Sequence, residues 1–219
     1  MRRLAFFDLD NTLLDRDAAF CRWLDEFVTD HGLDLEARAW LLCADSRCTG
    51  PMGTFFSNVR EKFDLTSSVD DLWHQYRRRL PELVECHPED LAALAELRAA
   101  GWKTAIVTNG MTDNQQGKID RTGLAALFDA WCISDEVGIR KPDRGIFELA
   151  ARRCGSRLDR GGWMTGDSVT LDISGGRAAG LRTIWIRRSR SWPQGEIAPD
   201  YEVDTVADAV SVLLGQLDT

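Results

Sequence analysis

A chain of 219 residues with 28% charged and 44% hydrophobic side chains can bury one substantial core, or one core plus a small appended domain, and its composition is that of an ordered globular protein. The formal net charge of −8 argues against a general nucleic-acid binder, which carries a basic stripe to displace counterions, but a local cation could still receive an anionic small molecule. No apolar run approaches the roughly 18–20 residues that cross a bilayer, and the run after Arg2-Arg3 breaks at Asp8, too short for a signal peptide; the expectation is a cytoplasmic protein with no membrane, nucleic-acid or obligate protein partner.

The first element is a strand over Leu4-Ala5-Phe6-Phe7, which delivers Asp8 and Asp10 into the turn Asp10-Asn11-Thr12. Two carboxylates at i and i+2 followed by turn residues do not continue a ladder, so they mark its carboxyl edge. Residues 17 to 81 then read as helical: Asp17 to Asp30 puts Phe20, Trp23, Leu24, Phe27 and Val28 on one face. Helices follow over Leu35 to Ala44, Met52 to Phe63 and Val69 to Leu80, with breaks at Gly32, Gly50-Pro51 and Thr66-Ser67-Ser68. From Pro88 onward helix and strand alternate. The expected order is helix Glu89–Ala100, strand Thr104–Val107, helix Asn114–Arg121, strand Trp131–Ile133 and a helix opened by Pro142, then strand Gly162–Thr165, helix Leu171–Ala179, strand Arg182–Ile186 and helix Val206–Leu217.

Such alternation predicts an α/β fold: a doubly wound parallel sheet, built through right-handed crossovers, with an all-helical domain inserted after the first strand. The boundaries expected are 1–16 and 84–219 for the core and 17–83 for the insert, with hinges at Asp15-Arg16-Asp17 and Cys86-His87-Pro88. Six cysteines without a CxxC pair or partnering histidine suggest neither zinc nor a disulfide framework, but reduced and mostly buried thiols. Arg187 to Arg190 reads as a solvated basic loop.

Each chemistry-bearing motif lies just past a predicted strand: Asp8, then Thr108-Asn109-Gly110, then Lys141-Pro142-Asp143, then Gly166-Asp167-Ser168 with Asp172 five residues beyond Asp167. In an open α/β sheet these loops meet at one edge. Asp8, Asp10, Asp167 and Asp172 are thereby expected around a single ammonium, Lys141. Four carboxylates cannot crowd together ionised without compensation. A hard divalent cation resolves the conflict: magnesium takes one or two carboxylates and completes its shell with water or phosphate oxygens. Taken singly, each motif also has a purely structural reading, as turns at Asp10-Asn11 and Thr108-Asn109-Gly110, helix caps at Asp167 or Asp172, and a helix entry at Lys141-Pro142-Asp143.

Taken in order, Phe6-Phe7-Asp8-Leu9-Asp10-Asn11-Thr12-Leu13, Val107-Thr108-Asn109-Gly110, Lys141-Pro142-Asp143 and Gly166-Asp167-Ser168 with Asp172 resemble the four motifs of the haloacid dehalogenase-like hydrolase superfamily, with a helical cap between the first and second. Thr108 to Gly123 and Ile133 to Gly138 are similar to the branch containing nucleoside monophosphate phosphatases and N-acylneuraminate phosphatases. The resemblance implies a magnesium-dependent hydrolase of small phosphate monoesters. Asp8 would be the nucleophile that forms an aspartyl-phosphate, and Asp10 the acid and then the base, its proton retained by neighbouring negative charge and partial desolvation. The ion would be held by the Asp8 and Asp167 carboxylates and the Asp10 carbonyl, with Asp172 supporting from behind. The Thr108 hydroxyl and the Asn109 amide would grip phosphoryl oxygens, and Lys141 would offset charge.

Asp10 separates this from haloacid dehalogenases, which lack an aspartate there because halide needs no proton on leaving. A sugar-phosphate mutase shares the same core and is the alternative. A phospho-accepting signalling domain carries its aspartate in mid-sequence and has no helical insert. The cap is expected to select the substrate by closing over the pocket. In it, Trp23, Trp40, Phe55, Phe56 and Trp73 are read as its own core, and Arg47 and Arg60 as solvated surface able to meet a second anion. His87 is read as a hinge residue.

Overall fold

The structure is a computed structural model and describes residues 3–48, 50 and 52–216; Arg2, the break at Pro51 and the expected helix end at Leu217 lie outside the described residues. In chain order the elements are β1 (Leu4–Phe7), α1 (Arg16–Asp30), α2 (Leu35–Ser46), α3 (Met52–Lys62), α4 (Val69–Leu83), α5 (Pro88–Ala99), β2 (Lys103–Thr108), α6 (Thr112–Arg121), β3 (Ala130–Ile133) and α7 (Ser134–Val137). There follow α8 (Arg144–Arg153), β4 (Trp163–Gly166), a wide helical turn Val169–Ser174, α9 (Gly175–Ala178), β5 (Arg182–Ile186), β6 (Tyr201–Val203) and α10 (Val206–Gly215). The chain divides into two compact units, Met1–Asp15 with Glu85–Thr219, and Arg16–Val84.

The first unit holds a six-stranded sheet in the order β3-β2-β1-β4-β5-β6, with every neighbouring pair parallel. β1 and β4 are buried at every position and β2 at all but its first, which is why Leu4-Ala5-Phe6-Phe7 and Thr104 to Val107 read as continuous apolar runs rather than alternating ones. One face packs on α8: Phe6 stacks on Phe147 at 6.4 Å between ring centroids, within a cluster that includes Val107, Ile146, Ala150 and Met164. The winding reverses beside β1, since β2 and β3 lie to one side and β4 to β6 to the other. This reversal opens a crevice at the carboxyl ends of β1 and β4, the place where ligands bind in open α/β sheets. The β1–β4 ladder runs one residue further, with Asp8 N donating to Thr165 O at 2.9 Å, so Asp8 is fixed at the rim of that crevice.

Four elements differ from the pattern expected, the first being the four-residue α7, which follows β3 directly. β6 has three residues, none of them buried, and pairs only with β5, too short and too polar to signal a strand. Pro142 does not open a helix: it follows a cis peptide bond, and α8 starts at Arg144, where the Asp143 side chain accepts from Gly145 N at 2.7 Å. The helix expected over Leu171–Ala179 is a wide turn followed by the short α9.

The second unit is helical throughout its described elements. Phe20, Trp23, Phe55, Phe56 and Tyr76 are buried together, with Trp23 edge-on to Tyr76 at 5.0 Å. Trp40 and Trp73 are half-buried at its margin, and Arg47 and Arg60 are exposed. Asp34 and Ser68 cap α2 and α4 through their side chains. Pro81 is buried inside α4, which continues past the expected end at Leu80. Of the six cysteines, all free, only Cys132 and Cys154 are buried and Cys43 is exposed, so the expectation of mostly buried thiols is corrected; Cys43 falls on the solvent side of α2.

No helix of the described residues is long and apolar enough to cross a membrane.

Candidate active site

Asp8, Asp167 and Asp172 converge: one carboxylate oxygen from each lies within 4.8 Å of the others. Asp8 comes from the end of β1, Asp167 from the end of β4, and Asp172 from the turn that follows, folded back against the strand. That last approach requires a glycine, because a Cβ on Gly166 would stand 2.3 Å from Asp172 Cγ and Oδ2. Asp172 Oδ2 then accepts from Ser168 N at 2.9 Å, which closes the loop on itself.

Lys141, fully buried, spans the cluster. Its Nζ donates to Asp8 Oδ1 at 2.5 Å and to Asp172 Oδ1 at 2.7 Å. The lysine backbone is held by the side chain of Asn109, whose Oδ1 accepts from Lys141 N at 2.9 Å while its Nδ2 donates to Lys141 O at 3.0 Å. Asn109 therefore links the loop after β2 to the loop after β3. The other Asp8 oxygen accepts from Thr12 Oγ1 at 3.2 Å. With both oxygens engaged, the carboxylate has a fixed orientation.

The charge balance explains the titration of the cluster. Burial pushes Asp8 up to about 8; Lys141 opposes this, and Asp172 and Asp167 reinforce it. Asp167 is pushed up to about 7 by burial and by Asp172, against the pull of Arg190. Burial alone would lower Lys141, but Asp172 and Asp8 more than offset it and hold the ammonium well above the usual lysine range. Two carboxyls shifted upward, in a donor set of carboxylate oxygens, fit a hard divalent cation: the cluster favours more positive charge than Lys141 supplies.

The Asp10 carboxylate is not part of that group. It faces α6, where Lys118 Nζ donates to Asp10 Oδ1 at 2.8 Å and Oδ2 at 2.9 Å, and Gln115 Nε2 donates to Oδ2 at 3.0 Å. The expectation of a single ammonium amid four carboxylates is thereby corrected. Lys118 is a second one, buried because α6 turns it inward, and the group beside Asp10 is a cation rather than the negative charge expected. Thr108 ends β2 with its hydroxyl accepting from Gln115 Nε2 at 2.7 Å. The loop after it is pinned by Ser134 and Asp135, which accept from Gly110 N at 3.0 Å and Thr112 N at 3.0 Å.

The loop Arg187–Arg190 is also more than solvated surface. Positive φ angles at Arg188 and Ser189 turn it back over the ends of β4 and β1. Arg190 pairs with Asp167 Oδ2 at 3.0 Å, and Arg188 pairs with Asp15 at 3.2 Å and reaches the Leu14 carbonyl at 3.2 Å. Lys118, Gln115, Arg190 and the Asn109 side chain are the residues that motif reading missed. The one local signal was Gly110: a Cβ there would come 2.9 Å from Gln115 Cγ, so this glycine makes room for the glutamine.

The chain is thus a doubly wound α/β domain with a helical insertion, and it carries a carboxylate cluster, cross-linked by a buried lysine, at the reversal of its strand order. The chain belongs to the haloacid dehalogenase-like hydrolase family, whose sequence model matches residues 3–180. Phosphoserine phosphatase of Thermus thermophilus is 39% identical over 127 residues, 58% of this chain and 49% of the relative. The pyrimidine 5′-nucleotidase YjjG of Escherichia coli is 39% identical over 112 residues, 51% of this chain and 49% of the relative. The chain thus spans about half the length of these two relatives. N-acylneuraminate-9-phosphatase of Rattus norvegicus is 28% identical over 239 residues, covering 96% of this chain and 93% of that one. Among solved structures, a HAD phosphatase from Thermococcus onnurineus superposes with a TM-score of 0.70 at 27% identity, over 97% of this chain and 98% of that one.

Proposed function

We propose that the protein is a magnesium-dependent phosphatase of small phosphate monoesters that works through an aspartyl-phosphate on Asp8. The observation that carries this reading is the division of labour among the aspartates: Asp8 locked between Lys141 and Thr12 beside Asp167 and Asp172, and Asp10 held apart from them. A nucleophile and a proton-transfer group are what a two-step phosphoryl transfer needs, and no halide displacement would use the second.

Asp8 attacks phosphorus, forming an Asp8 O–P bond as the ester P–O bond breaks. Asp10 carries a proton to the departing oxygen and then, in the ionised form that the Lys118 ammonium favours, takes one from the water that hydrolyses the acyl phosphate. The Thr108 hydroxyl and the Asn109 backbone amide donate to the non-bridging oxygens, and Lys141 offsets the charge gathered on Asp8 and the phosphoryl group. Asp8, Asp167 and the Asp10 backbone carbonyl would hold magnesium, with Asp172 behind them, and the ion's charge would keep Asp8 ionised at neutral pH despite its upward shift.

The relatives named above act, by their names, on phosphoserine, pyrimidine nucleotides and an N-acylneuraminate phosphate, so a shared core serves different leaving groups. Nucleoside monophosphates are the first substrates to test. A screen of phosphometabolites with magnesium, reading inorganic phosphate, should show multiple turnover that Asp8→Asn abolishes while the protein remains folded. Substantial residual magnesium-dependent turnover in that variant refutes the nucleophile assignment. Isomerised sugar phosphate without phosphate release makes the protein a mutase instead.

A further inference from the structure

Gln115 and Lys118 lie one turn apart on α6, and both are buried. Lys118 Nζ donates to both oxygens of Asp10 and to Gln115 Oε1 at 2.8 Å. An ammonium can only donate, so the amide oxygen of Gln115 has to face it and the NH2 group has to face the other way. That NH2 group reaches Asp10 Oδ2 at 3.0 Å and Thr108 Oγ1 at 2.7 Å. A threonine hydroxyl that accepts in this way keeps its own proton for a second partner.

We propose that Gln115 and Lys118 are positioning residues acting as one unit: they hold the Asp10 carboxylate in place for proton transfer and aim the Thr108 hydroxyl proton at a phosphoryl oxygen. This rests on the phosphatase reading above. One buried donor chain thereby sets two groups that would act at different positions around the phosphorus, the apical leaving oxygen and the equatorial non-bridging oxygens. An ion pair serving stability alone would have no reason to couple them. The lysine fixes the amide's orientation, and the amide converts that orientation into a direction for the threonine proton.

The test uses full-length Gln115→Met, Gln115→Glu and Lys118→Met with magnesium. The glutamate variant keeps an acceptor for Lys118 but loses both donations, so it isolates them should Lys118→Met fail to fold. kcat/KM is measured on p-nitrophenyl phosphate, whose leaving group needs little protonation, and on glycerol phosphate, whose leaving group needs much. Phosphate affinity is measured separately by calorimetry. We expect kcat/KM on glycerol phosphate to fall about 100-fold, the scale of a misplaced reacting group, and to fall clearly less on p-nitrophenyl phosphate. Phosphate binding should weaken about 5-fold, the worth of one hydrogen bond. Equal losses on the two esters with unchanged phosphate affinity, or no loss at all, overturn the proposal. Wild-type protein that releases phosphate neither from these esters nor from any phosphometabolite of the screen overturns the phosphatase reading and this role with it, whereas wild-type turnover with unaffected variants overturns the positioning role alone.

Discussion

Replacing Lys141 with methionine removes the ammonium that stands 2.5 Å from Asp8 and 2.7 Å from Asp172, with little change in volume. Breaking a buried ion pair from one side costs about 3–5 kcal/mol, because the remaining charge is left without compensation. At about 2–4 °C per kcal/mol for a protein of this size, the melting temperature should fall by about 6–20 °C. The loss depends on pH, and its sign follows from the direction of the shifts. Asp8 at about 8 and Asp167 at about 7 both lie above the unfolded carboxylate value of about 4. Between those limits the native state keeps protons that the unfolded chain has lost, so the stability of chelated protein declines as pH rises from about 4 to about 8. Lys141 lowers Asp8; without it Asp8 moves further up, the carboxyl stays neutral over a wider range, and the penalty is mild near pH 5 and full near pH 9. Calorimetric melts of wild type and Lys141→Met in chelator at pH 5, 7 and 8.5 measure this directly. A variant that melts within about 2 °C of wild type at pH 8.5, or chelated protein whose melting temperature rises from pH 5 to pH 8, refutes the charge balance described.

Magnesium should raise the melting temperature of wild type more at pH 8 than at pH 5, since a bound ligand stabilises by about 2.7 kcal/mol at 100 times its Kd and the cluster needs it most when ionised; an equal shift at both pH values counts against these carboxylates as the ligands. Asp10→Asn should slow turnover by about 10²–10⁴-fold, most on esters with poor leaving groups; an unchanged rate on alkyl phosphates removes Asp10 from proton transfer. Gly166→Ala would place a Cβ 2.3 Å from Asp172, so the carboxylate must leave its position beside Lys141 at a cost of about 1–3 kcal/mol. Its thermal melt should show that loss together with weaker magnesium binding by calorimetry, and wild-type values for both refute the close approach.

The residues that end strands were legible because two signals coincide there: an apolar run stops, and a polar residue unsuited to a ladder follows at once. Asp8 after Phe7 carries that signature in full; Thr108 is itself the last residue of β2 and is marked by the Asn109-Gly110 that follows, and Asp167 by the Gly166 that ends β4, and a parallel sheet then brings all three to one edge. The residues missed are those whose function lies at the tip of a long side chain. The sequence of α6, Thr112 to Arg121, is polar nearly throughout, so nothing in its pattern says that Gln115 and Lys118 are buried while Gln116 and Asp120 are less so. Arg190 belongs to a loop of arginines, and only the backward turn at Arg188 and Ser189 carries its guanidinium to Asp167. Asn109 was read for its backbone, yet its side chain joins two loops by gripping the Lys141 peptide. Period and turn chemistry place backbones; where a flexible polar side chain ends depends on neighbours distant along the chain.

Those distant neighbours also give identical residues different environments. Asp8 and Asp167 are near one another and near Asp172, and Lys141 and Arg190 together leave both carboxyls shifted upward, so further positive charge is favoured at that spot. Asp10, two residues from Asp8, is turned toward α6 and has an ammonium of its own. Alternation along a strand would put residues i and i+2 on one face, but β1 ends at Phe7, and the turn that follows, with Asn11 at a φ of 59° and Asp10 bridged to Leu14, breaks that alternation, so Asp8 and Asp10 meet different neighbours. One cluster is left short of cations and the other aspartate is provided with one. That difference sets two residues of one type apart: the Lys118 ammonium favours the ionised Asp10 that would take a proton from water, and a divalent cation beside Asp8 would supply the charge that a nucleophilic carboxylate requires there.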